Sequence, residues 1–408
     1  PTHVLALASA ASPLPPPPCV HARRSPAMRS PTSLRLALAL LFVPAFAVAA
    51  PAPEREKAWP SAHHTALGQP DWVRRGTIYE INVRQFSAEG KFTAVTAQLP
   101  RLEALGVDIL WLMPIHPIGE LHRKGPLGSY YAAKDYLGVN PEFGTEQELR
   151  DLIAGAHARG MKVILDWVPN HVSPDNPLTQ THPHFFWRDE KGNLTPPHGT
   201  DWTDVVQFDF DAPGLLDYQV DVLLHWVKNF GVDGFRCDVA WGLPTKFWNE
   251  VSQRVRAVRS DVFFLAEAEL PQQQVAAFHT SYGFDLHHAM NAVAQGKKTA
   301  SGIDEALAKF RAHFPRGSSL MVFTSSHDEN SWAGTEFERL GMGYAPFAVL
   351  SFLLDGVPMI YNGQEVGLDR RLEFFDRDPI VWPAETHPTT KLYQVLTRLR
   401  RDHPALHT

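Results

Sequence analysis

Three short stretches that end in a carboxylate sit at or just after the ends of apolar runs in this chain. Asp238 ends Gly234-Phe235-Arg236-Cys237-Asp238, Glu267 ends Phe264-Leu265-Ala266-Glu267, and Asp328 ends Ser326-His327-Asp328. Such branched and aromatic runs read as strands. An unpaired carboxylate buried beside one costs several kcal/mol, so packing does not explain these acids. Alternate residues share one face of a strand. Arg236 therefore stands beside Asp238 and can hold that carboxylate ionised and oriented, as a nucleophile requires. Glu267 follows Phe263-Phe264-Leu265-Ala266, and apolar surroundings raise a carboxyl pKa, as a general acid needs at neutral pH. One carboxylate kept charged and another kept protonated is the pair that splits a glycosidic bond. Asp328 could stabilise an oxocarbenium-like centre or grip ring hydroxyls. Each acid alone reads equally well as a helix cap or an arginine partner; three at the ends of separate strands do not. Glu269 competes with Glu267, since both lie on one face of an extended strand.

Two further groups suit a polyol ligand. Asp166-Trp167-Val168-Pro169-Asn170-His171 ends another strand-like run with an acid, an amide and an imidazole. Tyr130-Tyr131, with Asp135-Tyr136, offers a ring that could stack on a sugar face. The 20 histidines do not make a zinc motif: His63-His64 and His287-His288 are adjacent rather than four apart, and His182, His184 and His198 lie in a polar stretch. There is no Gly-x-Ser-x-Gly turn for a serine hydrolase.

The elements that must position these groups alternate. Strands are expected over Thr77 to Val83, Ile109 to Met113, Lys162 to Val168, Val232 to Asp238 and Val262 to Ala266. Three more are expected over Phe284 to His288, Leu320 to Thr324 and Val357 to Tyr361. Amphipathic helices fall between them, among them Glu146 to Arg159, Leu215 to Phe230, Thr245 to Arg259 and Gly341 to Leu354, with Thr390 to Arg401 closing the series. Eight strands separated by helices predict an α/β chain folded as a (β/α)8 barrel, with active groups at the C-terminal strand ends. No Gly-rich phosphate loop follows the first strand, which argues against an open doubly wound sheet. The polar, Pro- and His-rich stretch 171–203 reads as a short subdomain inserted after the third strand.

Of the 408 residues, 44% are apolar and 20% charged, enough for a large core, and a net charge of −6 leaves no basic footprint for nucleic acid. Residues 1–27 are Pro-rich without periodicity and read as upstream extension, and 28–50 read as a secretory signal peptide with a basic start, an apolar run and small residues before Pro51. Residues 51–75 form a lead and 76–408 the catalytic barrel. A secreted or periplasmic protein follows, with no stable membrane insertion after cleavage. Cys19 lies ahead of the cleavage point, so Cys237 is left as a single thiol, read as a small core residue.

These motifs together resemble the α-amylase family of glycoside hydrolases, from about Thr77 to Leu406. Asp166 to His171 looks like its first signature region, Gly234 to Asp238 the second, Leu265 to Glu267 the third and Ser326 to Asp328 the fourth. Ile360-Tyr361-Asn362-Gly363-Gln364-Glu365 resembles its eighth-strand segment. The resemblance implies a retaining enzyme acting on α-glucosidic bonds of starch, maltodextrin or related α-glucans through a covalent glycosyl-enzyme intermediate. Asp238 would be nucleophile, Glu267 general acid/base and Asp328 transition-state stabiliser. Arg236 would position Asp238, His171 and His327 would hydrogen-bond the sugar, Tyr131 would stack on it, and Asp166 would support the site. Asn170 matches a calcium ligand of many members, but Val239-Ala240-Trp241-Gly242 replaces the Lys-His pair that usually follows the nucleophile. No cofactor is implied as required, and calcium stays open. The family's C-terminal β-sandwich is expected to be absent or truncated here. An α-glucan transglycosylase of the same fold is the alternative. A non-catalytic carbohydrate-binding or transporter-associated relative is a third, disfavoured because all three acids are present.

Overall fold

The computed structural model describes residues 63–407, so the extension, the signal peptide and the first part of the lead fall outside the described residues. Ten strands follow in chain order: β1 (Ile78–Ile81), β2 (Ile109–Leu112), β3 (Lys162–Trp167), β4 (His171–Val172), β5 (Val206–Gln207), β6 (Gly234–Cys237), β7 (Phe263–Ala266), β8 (Thr280–Tyr282), β9 (Leu320–Val322) and β10 (Val357–Tyr361). Eight of them close a parallel barrel in the order β1-β10-β9-β8-β7-β6-β3-β2. Helices cover its outside, so both strand faces are buried and the strands read as unbroken apolar runs rather than alternating ones. Inward positions fill the barrel with Ile78, Trp111, Ile164, Leu265, Met321 and Met359. One step further along β1, β3 and β6 the same inward face carries Glu80, Asp166 and Arg236, all buried.

The helices form for local reasons. Thr145 and Glu148 make a reciprocal capping box at the start of Glu146–His157, whose buried face is Leu149, Leu152, Ile153 and Ala156. The strand expected over Phe284 to His288 is a correction. The sixth barrel strand lies just before it, at β8, and Phe284–Ala294 is a helix. Leu286, His287, Ala289 and Met290 are buried, the helical period, and the Glu269 carboxylate accepts the Asp285 N–H at 2.8 Å to anchor the first turn. Thr77 to Val83 likewise ends as a strand at Ile81, and Val83–Phe86 turns helical.

β4, at the start of the inserted stretch, pairs antiparallel with β5, just past its expected end at 203, with His171 opposite Gln207 and Val172 opposite Val206. Buried Phe186 and Phe208 stack at 4.8 Å and join the main hydrophobic core, so the insertion packs onto the barrel's own core. No helix among the described residues is long and apolar enough to cross a membrane.

Candidate active site

Parallel pairing of β6 with β7 sets Cys237 beside Ala266, so Asp238 and Glu267 leave neighbouring strands at the same level. Gly234 permits this approach: a Cβ there would stand 2.5 Å from the Phe263 carbonyl oxygen. Below the two acids lies Arg236, fully buried. Its Nη1 donates to Asp238 Oδ1 at 2.7 Å and to Asp166 Oδ1 at 3.0 Å, and its Nε donates to the Tyr282 hydroxyl at 3.2 Å. Nη2 lies 2.9 Å from Glu267 Oε1 but outside hydrogen-bonding angles, so that contact is an ion pair only. One guanidinium thus ties together the ends of three adjacent strands, β3, β6 and β7.

Glu267 is held from a second side. Val239 adopts the left-handed conformation (φ 48°, ψ 35°), strained for a β-branched residue, and its N–H donates to Glu267 Oε2 at 2.7 Å. Burial pushes the Glu267 carboxyl up to about 7, against Arg236, with Asp238 and Asp328 adding to the rise. Asp238 is pushed up to about 6, again by burial against Arg236, and Asp166 also to about 6. The sequence predicted that Arg236 would keep Asp238 ionised; the guanidinium does pull that way, but it serves three acids and burial outweighs it.

These acids open into a cleft of about 560 Å3, lined by Asp238, Glu267 and Asp328 together with Tyr131, His171 and His327. Asp328 is the most open of the three, its side chain 49% exposed, whereas Asp238 is at 8%. Tyr131 stacks on His327 at 5.5 Å and on Phe374 at 6.3 Å, and Trp332 meets Phe374 at 5.2 Å, which makes a continuous aromatic wall. Asn170 Nδ2 sits 3.1 Å from His171 Nδ1, so that nitrogen accepts and the ring proton is on Nε2; burial drives His171 down to about 3 and keeps it neutral.

Of the predicted residues, eight converge here: six line the cleft, and Arg236 and Asp166 lie beneath its floor. Asn170 does not reach it; its amide serves His171 and its carbonyl takes the Phe208 N–H. Among the described residues no cluster of three or more His, Cys, Asp or Glu stands ready to hold a metal ion. Glu269 caps a helix and does not line the cleft. Burial raises the Cys237 thiol well above its ordinary value, consistent with a core role. The sequence reading missed Glu80, Trp202, Trp332 and Phe374. Glu80 was findable, being a carboxylate inside the apolar run Ile78-Tyr79-Glu80-Ile81; the rings lie in loops or, for Trp332, in the short helical turn Glu329–Ala333, and their partners are distant in sequence.

The catalytic-domain model of the α-amylase family matches residues 66–404. The α-amylase MalA of Haloarcula japonica is 29% identical over 83% of this chain and 50% of its own. An α-1,4-glucan:maltose-1-phosphate maltosyltransferase of Streptomyces coelicolor is 29% identical over 92% of this chain and 60% of its own. The chain thus spans between half and two thirds of the length of these two curated relatives. A crystal structure of an α-amylase from Lactobacillus plantarum superposes with a TM-score of 0.75 at 38% identity, covering 83% of this chain and 82% of that one.

Proposed function

The chain belongs to the α-amylase family, and from that premise we propose that it is a retaining glycoside hydrolase that cleaves α-glucosidic bonds in starch, maltodextrin or a related α-glucan. Asp238 attacks the anomeric carbon while Glu267 gives its proton to the departing oxygen. Water then takes the sugar from Asp238 as Glu267 takes the proton back. Asp328, half open to the cleft, faces the charge that develops on the ring. His171 and His327 hold sugar hydroxyls, Tyr131 supplies a stacking face, and Arg236 and Asp166 set the floor.

The observation that carries this reading is the single buried guanidinium gripping both Asp238 and Glu267 at neighbouring strand ends, with the glutamate the more reluctant to ionise. A charged nucleophile beside a protonated acid is what the first half of a double displacement needs. The test is the product: proton NMR of maltoheptaose digestion should show the α-anomer first, and an activated fluoro-sugar should leave a covalent adduct on the Asp238 peptide by mass spectrometry. First release of the β-anomer would refute retention.

Glycosyl transfer to a second sugar is the other reading, favoured by Trp241, which lies three residues past Asp238 at the cleft rim, 58% exposed, and stacks on no ring among the described residues. An open indole suits an acceptor sugar. A phosphorylated sugar suits the cleft poorly: five carboxylates line it, against one lysine, Lys124, itself paired to Asp204 at 3.3 Å. Maltose supplied as acceptor separates the two, since products longer than the donor report transfer. Export, and a requirement for calcium or none, belong to the same proposal; cell fractionation and activity after chelation test them.

A further inference from the structure

Glu80 lies at the centre of the first barrel strand, fully buried, and no signature motif includes it. Among the described residues its carboxyl is hydrogen-bonded to His327: Oε2 takes the His327 backbone N–H at 3.3 Å, and Oε1 faces the ring at Nδ1. The far ring nitrogen, Nε2, is 2.7 Å from the Tyr131 hydroxyl and 3.3 Å from Asp328 Oδ2. That hydroxyl carries one proton, and it donates to Asp166 Oδ2 at 3.2 Å. With that proton on Asp166, the hydroxyl presents a lone pair to His327. A carboxylate therefore stands within reach of each ring nitrogen, Glu80 at Nδ1 and Asp328 at Nε2, and only an imidazolium donates to both.

We propose that Glu80 is a positioning residue that keeps His327 doubly protonated and thereby sets the charge and the hydrogen-bond direction on the Tyr131–Asp328 side of the cleft. The proposal rests on the glycosidase reading only for its kinetic consequence; the protonation itself is a property of the resting protein. A second cation also answers the charge balance. Arg236 alone would stand against the buried acids Glu80, Asp166 and Asp238, and a buried carboxylate without a positive partner costs several kcal/mol.

The groups facing the imidazole come from every element around it: Glu80 on β1, Tyr131 after β2, Asp166 on β3, Arg236 on β6 and Asp328 beside it. The edge of Trp111 closes the remaining side at 5.9 Å. Burial opposes the charge, yet Asp328 and Glu80 overcome it and lift His327 to about 9. Because the folded-state value lies above the ordinary one, the charge persists at neutral pH and is lost as pH rises through about 9. Glu80→Gln keeps the shape and removes the negative charge, so the loss moves to lower pH.

Two measurements decide it. In the wild-type protein labelled with 15N-histidine, with His327→Asn used to assign the signal, both ring nitrogens of His327 should be protonated at about pH 8, well above the ordinary histidine value of about 6.5. A neutral ring there overturns the proposal whatever the enzyme does, and an imidazolium supports it even if maltodextrin is not the substrate. In Glu80→Gln the wild-type-to-variant ratio of kcat/KM should grow by about 10-fold or more between about pH 5.5 and about pH 8, as His327 loses its proton. A ratio that stays constant across that range, or no loss at all, would show that Glu80 is structural packing. If Glu80→Gln does not fold, the wild-type spectrum still decides.

Discussion

Glu267 and Glu269 stand two residues apart just past β7, and burial lifts both carboxyls to about 7. Their surroundings differ in every other respect. Around Glu267 are a guanidinium shared with two other acids, the N–H of a strained Val239, and an open cleft. Around Glu269 are the N–H of Asp285 at a helix start and the charge of Lys309. A raised proton affinity therefore does not single out a catalyst here. What separates the two is whether the group faces space a substrate can enter and whether a partner acid of different affinity stands beside it.

The largest effects should come from breaking the Glu267 side. Asp238→Asn should lower kcat by about 10⁴–10⁶-fold, since the covalent path loses its nucleophile, while circular dichroism stays native. Glu267→Gln should cost roughly 10²–10⁴-fold, read by steady-state kinetics on maltodextrin, with much of the rate recovered on a substrate whose leaving group needs no proton. Wild-type turnover in Glu267→Gln, with loss in Glu269→Gln, would reverse the comparison.

Arg236→Lys tests the shared cation. A lysine cannot span three carboxylates, so stability should fall by about 3–5 kcal/mol in urea unfolding, alongside lost activity. Asp238 must be ionised and Glu267 protonated, so kcat/KM should form a bell. Its acid limb reflects the Asp238 carboxylate near 6 and its alkaline limb the Glu267 proton near 7, the two apparent values belonging to the pair. A flat profile across that interval would separate the pair from the chemistry.

The smallest effect sharpens the contrast. Glu269→Gln should change turnover by less than about threefold, under 1 kcal/mol in barrier. It should alter the pH dependence of stability instead. A carboxyl whose folded pKa is raised binds its proton more tightly in the folded state, so the wild type loses stability as pH rises from the ordinary value of about 4.3 toward 7. Removing the titrating group should flatten that decline by about 1–2 kcal/mol, a figure discounted for the partial exposure of the side chain. An unchanged slope in thermal melts at several pH values would show that Glu269 is not what titrates.

Much of this was legible in the chain itself. Asp166, Asp238 and Glu267 lie at the ends of apolar runs and Asp328 just past one, and the C-terminal ends of strands in a parallel barrel share one mouth. The pairing of Arg236 with Asp238 needed only the two-residue strand period. The error at Phe284 to His288 arose because a short apolar run fits either period. The deciding contact, Glu269 on the Asp285 N–H, depends on the barrel having already brought β7 and β8 together.

What the sequence by itself determined was which residue types could do acid–base work and the order of the elements that carry them, because strand and helix periods are local. What only the tertiary structure decided was which glutamate faces the cleft, that one arginine serves three acids, and that Glu80 reaches His327 across 247 positions of chain. Those relations follow from barrel closure, which sets β1 beside β10 and β9 next to β10 and so brings Glu80 near the stretch that follows β9, and no local pattern encodes a distance between segments so far apart.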